Sequence, residues 1–334
     1  MKVTNTNKKI NYSLELLRLI LSFWVVIQHC YKKAYLFRKG KFHVPTFMIM
    51  SFYFYYNTLK TKNITKIKQR FQRISIPYII WPVFIFIYNN ILFKLFGFSQ
   101  YNKKLSLKNL VLQLIFGFNY HYVFYFQFIL IILTIIFTII SFLFNQKFIF
   151  IFQILLIVAY IFQYSYWNLY IFLEYSSVIK FSLGLIFELL PFVVIGITLN
   201  HLDIIAKLKH FKCLAIFFIG VIIFLILKFE IFVRIKGYFY PGILLNIGSI
   251  CTFFLFSLFS LQNKNLIFLL KSITKFTGGI YYIHLICFSF LKQKIFFIKN
   301  MTLYGSIVIY ILSYIICYLG NELSYKTKFK LLFN

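Results

Sequence analysis

Acidic residues are nearly missing from this 334-residue chain: six Asp and Glu stand against 36 Lys and Arg, a formal net charge of +30. Asp203 is the sole aspartate, which excludes an Asp-x-Asp metal site of the kind that holds sugar nucleotides. Cys-x-x-Cys pairs are missing too. Cys30, Cys213, Cys251, Cys287 and Cys317 stand singly and mostly inside apolar runs, so neither a zinc site nor a dithiol centre is expected, and no metal site is assigned. Charged residues make up only 13% of the chain, where soluble domains average about 25%. In their place are 61% apolar and 23% aromatic residues and a mean hydropathy of +0.84, which argue against a water-soluble globule. No polar stretch is long enough to build a separate soluble domain, and no linker or internal repeat divides residues 1–334, so one integral membrane domain is expected. The basic residues lie in short loops between apolar runs, not clustered with aromatics on a soluble face. Their expected partners are the headgroups of membrane lipids, and nucleic acid is excluded.

What is present is a series of long apolar segments. Cutting the chain where charges, Pro, Asn or Gly cluster leaves about ten runs near the roughly 20 residues that cross a bilayer as helix. They extend from Leu14 to Tyr31, Val44 to Leu59, Ile74 to Phe96, Tyr120 to Phe144, Phe148 to Tyr166, Ile179 to Leu199, Cys213 to Val233, Gly242 to Leu261, Phe276 to Leu291 and Leu303 to Leu323. Barrel strands would alternate polar and apolar residues, so these continuous runs predict an all-α polytopic bundle. Gln28, His29, Cys30 and Tyr31 follow the first run where a signal peptide would end in small residues, so that run reads as an uncleaved span. Ten spans put both termini on one side. The cluster Lys60, Lys62, Lys66, Lys68, Arg70 and Arg73 places the second loop, and with it both termini, in the cytoplasm of a multi-pass plasma-membrane protein.

An ionisable side chain inside a span is costly and marks a candidate site. The first span carries Glu15, Arg18, Ser22 and His29. At about 100° per residue, Arg18 and His29 fall within about 20° of one helix face and about 16.5 Å apart along the axis, with Glu15 and Ser22 on the same face. Such a stripe suits a lined cavity, with a phosphate held at one end and chemistry carried out at the other. Against this stands the plain alternative that Arg18 snorkels to headgroups and His29 satisfies a carbonyl. Arg70 and Arg73 stand three apart, at a spacing that suits a phosphate or pyrophosphate as well as an ordinary basic flank. Ser51, Glu188 and His284 are further possible cavity-lining residues, and His121 an interfacial one.

These pieces resemble the acyltransferase 3 family of integral membrane acyltransferases, which O-acetylate cell-surface polysaccharides and related acceptors. The segment LELLR, Leu14 to Arg18, followed by His29 after ten intervening residues, is similar to the family's opening motif. Arg70 and Arg73 ahead of Pro77 and Tyr78 resemble its Arg-x-x-Arg, Tyr281 to His284 its late Tyr-x-x-His, and Pro191 to Leu199 a middle-span glycine motif. The chain departs from the pattern at Glu15, Leu16, Phe52 and Val123, and Phe52, where Gly is usual, brings a tight helix contact into question. The resemblance implies a membrane-only acyltransferase with no bound cofactor and with acyl-CoA, as acetyl-CoA, for donor substrate. The donor's phosphates would lie near Arg18, Arg70 and Arg73. His29, with Glu15 in the catalytic set, would act as base or transient acyl carrier toward a glycan or lipid-linked glycan. The competing class is a transporter or flippase of a lipid-linked sugar, which broken spans at matching places in two halves would favour.

Overall fold

An Asn just ahead of an apolar run is a standard helix opening, and α1 (Tyr12–Cys30) begins that way, with the Asn11 side chain accepting the Ser13 N–H. The computed structural model describes residues 11–31, 43–96, 105–117, 124–144, 178–208, 243–291, 302–324 and 327–333, with isolated positions from 151 to 158 and from 211 to 224. After α1 come α2 (His43–Lys60), α3 (Ile64–Phe96), α4 (Leu107–Phe116), α5 (Tyr125–Leu143) and α6 (Val178–His201). The short α7 (Ile204–Leu208), then α8 (Ile243–Leu258), α9 (Lys264–Thr274), α10 (Thr277–Leu291), α11 (Leu303–Leu323) and a 3₁₀ turn (Lys328–Leu332) complete the order. Among the described residues there is no strand, and the molecule is a helical bundle.

Five of these helices are long and apolar enough to cross a membrane by themselves, and the pair α9 and α10, bent by 57°, forms a sixth span if taken together. The expected runs from Phe148 to Tyr166 and from Cys213 to Val233 lie largely outside the described residues, as do His121 and Val123. The polarity of the bundle is inverted relative to a soluble one. On α11, Ser306 and Ser313 are fully buried while Ile311 is 51% exposed, and on α3 an outward row of Ile79, Phe84, Ile87, Ile91 and Leu95 faces away from the core. Apolar side chains outside and hydroxyls inside are what hydrocarbon as solvent dictates. The chain is a multi-pass helical membrane protein.

Two cores hold the bundle. One gathers Leu14, Leu17 and Leu21 of α1 with α2, α5, α6, the first turns of α3 and Phe253 of α8. The other gathers Val26 and Cys30 of α1 with Tyr78, Trp81 and Ile85 of α3 and with α10 and α11. Helix α1 therefore passes from one core into the other, and it packs on α2, α8, α9, α10 and α11. Its start is tied to the end of α8, where Asn11 donates to the Ser257 carbonyl at 3.0 Å and Ser13 to the Phe259 carbonyl at 2.9 Å.

Three features differ from the sequence reading. Helix α3 starts at Ile64, ten residues ahead of the expected Ile74, and runs through Pro77 and Pro82 without ending. Arg70 and Arg73 therefore belong to the helix, and the loop after α2 shrinks to a tight turn at Thr61, Lys62 and Asn63, with Lys62 at φ 48°. A neighbouring helix serves the backbone just ahead of Pro77, where Gln127 donates to the Ile74 carbonyl at 3.0 Å. Second, the short α4 and α9 were not anticipated as elements of their own. Third, the close helix contact questioned at Phe52 is present, but it is built at Gly196, where a Cβ would collide with the Ile49 carbonyl of α2. Helices α2 and α6 pack most extensively there.

Candidate active site

The expected stripe on α1 is divided among three different neighbours. At its start Glu15 Oε2 and Arg18 Nη1 lie 3.8 Å apart, one helical turn from each other, with the side chains 31% and 38% exposed, so the pair is loose and open to a ligand. Arg18 also lies within electrostatic reach of Arg73, which α3 presents with its side chain exposed. Among the described residues Glu15 supplies the one ion pair made by either guanidinium. Two guanidiniums within electrostatic reach of each other, of which only Arg18 is paired with a carboxylate, leave an excess of planar N–H donors, the chemistry that holds a phosphate or pyrophosphate. One turn further, Ser22 is paired within the protein, donating to the Leu19 carbonyl at 2.8 Å and meeting the Tyr310 hydroxyl of α11 at 2.9 Å.

The far end of α1 carries the imidazole chemistry. The His29 ring stacks on that of His284 from α10, with centroids 5.5 Å apart and planes 26° from parallel. His284 is completely buried, and Tyr281 flanks it on its own helix with ring centroids 6.3 Å apart. Its Nδ1 lies 3.0 Å from the Ile280 carbonyl. A carbonyl only accepts, so Nδ1 carries the proton, and the neutral ring keeps a bare lone pair on Nε2. That Nε2 is buried with no hydrogen-bond partner among the described residues, and so is Oε1 of Gln28, the residue before His29. Three thiols pack nearby in the same core: Cys30, Cys287 and Cys317 are all buried and unbridged.

Arg70 occupies a different place from Arg73. Its Nη2 donates to Ser51 Oγ at 2.8 Å, Nη1 to the Ser51 carbonyl at 3.4 Å and Nε to Thr134 Oγ1 at 3.3 Å. Its guanidinium carbon lies 5.0 Å from the Phe52 ring centre and 4.2 Å from that of Tyr55, whose hydroxyl meets Thr138 at 2.8 Å. Phe52, standing where the resembled family has Gly, thus forms one wall of a box around the cation. Ser51, expected to line a cavity, and Arg70, expected at the donor's phosphates, are instead partners of each other. Glu188 sits on α6 with Oε2 buried, on a helix whose main partners are α2 and α5. The sequence reading missed Thr134, Thr138, Tyr55 and Tyr310. The signal was available in α5, where Gln127, Thr134, Thr138 and Ser141 recur at heptad-like spacing through an otherwise apolar run.

In a helical membrane bundle, one helix carries a partly exposed arginine at its start and, near its end, a partly buried histidine stacked on the buried His284 of α10, side chains suited to group transfer. The chain belongs to the acyltransferase 3 family, because the model of that family's acyltransferase domain matches residues 11–322, nearly the whole length. No curated protein and no solved structure matches the chain significantly. The protein is therefore a membrane acyltransferase. The flippase alternative called for broken spans paired between two halves, and among the described residues one bent pair occurs, α9 with α10.

Proposed function

We propose that this acyltransferase moves an acyl group, acetyl in the simplest case, from cytoplasmic acyl-CoA to a hydroxyl of a cell-surface polysaccharide or its lipid-linked precursor. The observation that carries this reading is the placing of a guanidinium pair, Arg18 with Arg73, and an imidazole pair, His29 with His284, at the two ends of one helix. A CoA thioester has the same layout: phosphates at one end, and a reactive carbonyl at the end of a long, thin arm. Arg18 and Arg73 hold the phosphates, with Glu15 setting the Arg18 rotamer, and Arg70 supports them from within the α2, α3 and α5 packing. His29 works at the acyl carbon, as a base or as a transient acyl carrier. In the net reaction the acyl carbon–sulfur bond breaks, the hydroxyl oxygen takes the acyl carbon, and the hydroxyl proton ends on the CoA sulfur. The plasma membrane, with both termini cytoplasmic, is the setting that gives the arginine end access to soluble acyl-CoA.

The test is consumption of acetyl-CoA by the full chain purified in detergent, with and without added glycans. Wild-type protein is expected to release CoA faster when a matching glycan is present, and His29→Ala to abolish this while reaching the membrane at normal levels. An active His29→Ala protein removes His29 from the reaction.

A further inference from the structure

A buried polar atom with no partner calls for an explanation, because its lost hydration is not repaid by any hydrogen bond within the protein. His284 Nε2 is such an atom. The partner that Nδ1 does have, the Ile280 carbonyl, fixes the tautomer and leaves Nε2 as an acceptor that awaits an O–H or N–H group. Its ring lies against His29, which the proposed function places at the acyl carbon. The two imidazoles come from helices far apart in sequence and meet in the core that joins α1, α10 and α11. A lone pair of fixed direction, on a ring whose other nitrogen is held by a backbone carbonyl, beside the group that handles the acyl carbon, is the arrangement of a general base.

Building on that function, we infer that His284 is a second catalytic residue, the base that takes the proton of the acceptor hydroxyl, and that His29 is the partner that meets the acyl group. As the acceptor oxygen bonds to the acyl carbon, its proton passes to His284 Nε2. The bond from that carbon to its leaving atom, a His29 nitrogen or the CoA sulfur, breaks. The leaving atom then takes the proton from His284, so both rings return to their starting state and no further reactant is needed.

The experiment separates nucleophiles that need a base from one that does not. Full-length protein in detergent is given acetyl-CoA with water or glycerol as hydroxyl probe, and separately with hydroxylamine, which attacks acyl groups without base help. His284→Asn keeps an amide N–H near the position of Nδ1 and removes the Nε2 lone pair. Its turnover with water and glycerol is expected to fall about 10²–10⁴-fold while hydroxylamine turnover changes by less than about threefold, since a base contributes on that scale only where a proton must leave the nucleophile. His29→Ala is expected to lose both. Equal losses with all three nucleophiles would make His284 a packing residue and overturn the assignment, and so would no loss at all. Thermal midpoints are measured alongside, and if His284→Asn drops by more than about 5 °C, His284→Gln is read for the same split. Wild-type protein that consumes acetyl-CoA with none of the three overturns the acyl-CoA reading itself, and the base assignment falls with it.

Discussion

Arg70 and Arg73 are one helical turn apart, yet one is boxed by Ser51, Thr134, Phe52 and Tyr55 and the other is exposed, within electrostatic reach of Arg18. The same substitution should therefore read out differently at the two sites. Arg73→Ala is expected to raise the Michaelis constant for acyl-CoA about 10- to 100-fold with little change in turnover number, the scale of one charge-assisted phosphate contact at about 1.5–3 kcal/mol. Arg70→Ala should instead lower the thermal midpoint in detergent. Arg70→Lys should not restore it, because an ammonium has neither the planar fork that reaches Ser51 and Thr134 nor the flat face that lies on Tyr55. An Arg70→Ala protein of wild-type stability and a raised donor constant would put Arg70 at the phosphates after all. The sequence showed the Arg-x-x-Arg pair but not this division, since the box is assembled from α2 and α5, and only α3's own spacing was visible. His29 was legible for the converse reason: its relation to Arg18 is set within one helix. Its stacking on His284 was not, being a contact between α1 and α10.

At the level of elements, spans defined by continuous apolar runs were readable: α11 matches the expected Leu303 to Leu323, and α1, α2, α6 and α8 agree to within a few residues. The misses have common causes. Helix α4 is short and opens on a capping box between Ser106 and Asn109, closing at Gly117 with φ 68°, so its signal lies in caps and not in length. Helix α9 begins at a lysine and is amphipathic, which conceals it from a search for apolar runs. Helix α3 extends beyond its apolar run because the basic residues that end such a run do not end the helix: Arg70 is satisfied inside the protein. Gly196 supports the α2–α6 pairing, and Gly196→Val is expected to destabilise the protein by about 1–3 kcal/mol, the usual cost of overpacking, because the obstacle is the Ile49 backbone, not a side chain that can swing away. Unfolding in detergent would show this as a lowered midpoint, and an unchanged midpoint would mean that α6 is free to shift outward from α2.

For the molecule as a whole, the inverted polarity and the family assignment agree on a membrane acyltransferase, and the orientation proposed for it has a direct check. A reporter fused after Asn334 should be active only on the cytoplasmic side, and a periplasmic or extracellular signal would turn the arginine end of α1 away from the soluble donor pool. The Arg70 box also bears on how the bundle is made. Its partners come from both sides in synthesis order: Ser51 and Phe52 precede Arg70, while Thr134 follows 64 positions later. Arg70 is the seventh residue of the 33-residue α3, toward an end where an arginine costs less than the roughly 2.5–3.5 kcal/mol it costs at a span's centre on the translocon scale, and until α5 is made α2 alone supplies the partners described for it. That set of partners is complete only when α5 has been made and lays Thr134 against the guanidinium. The order in which helices are born is thus written into the contacts of one side chain: α2 brings its first partners and α5 its last.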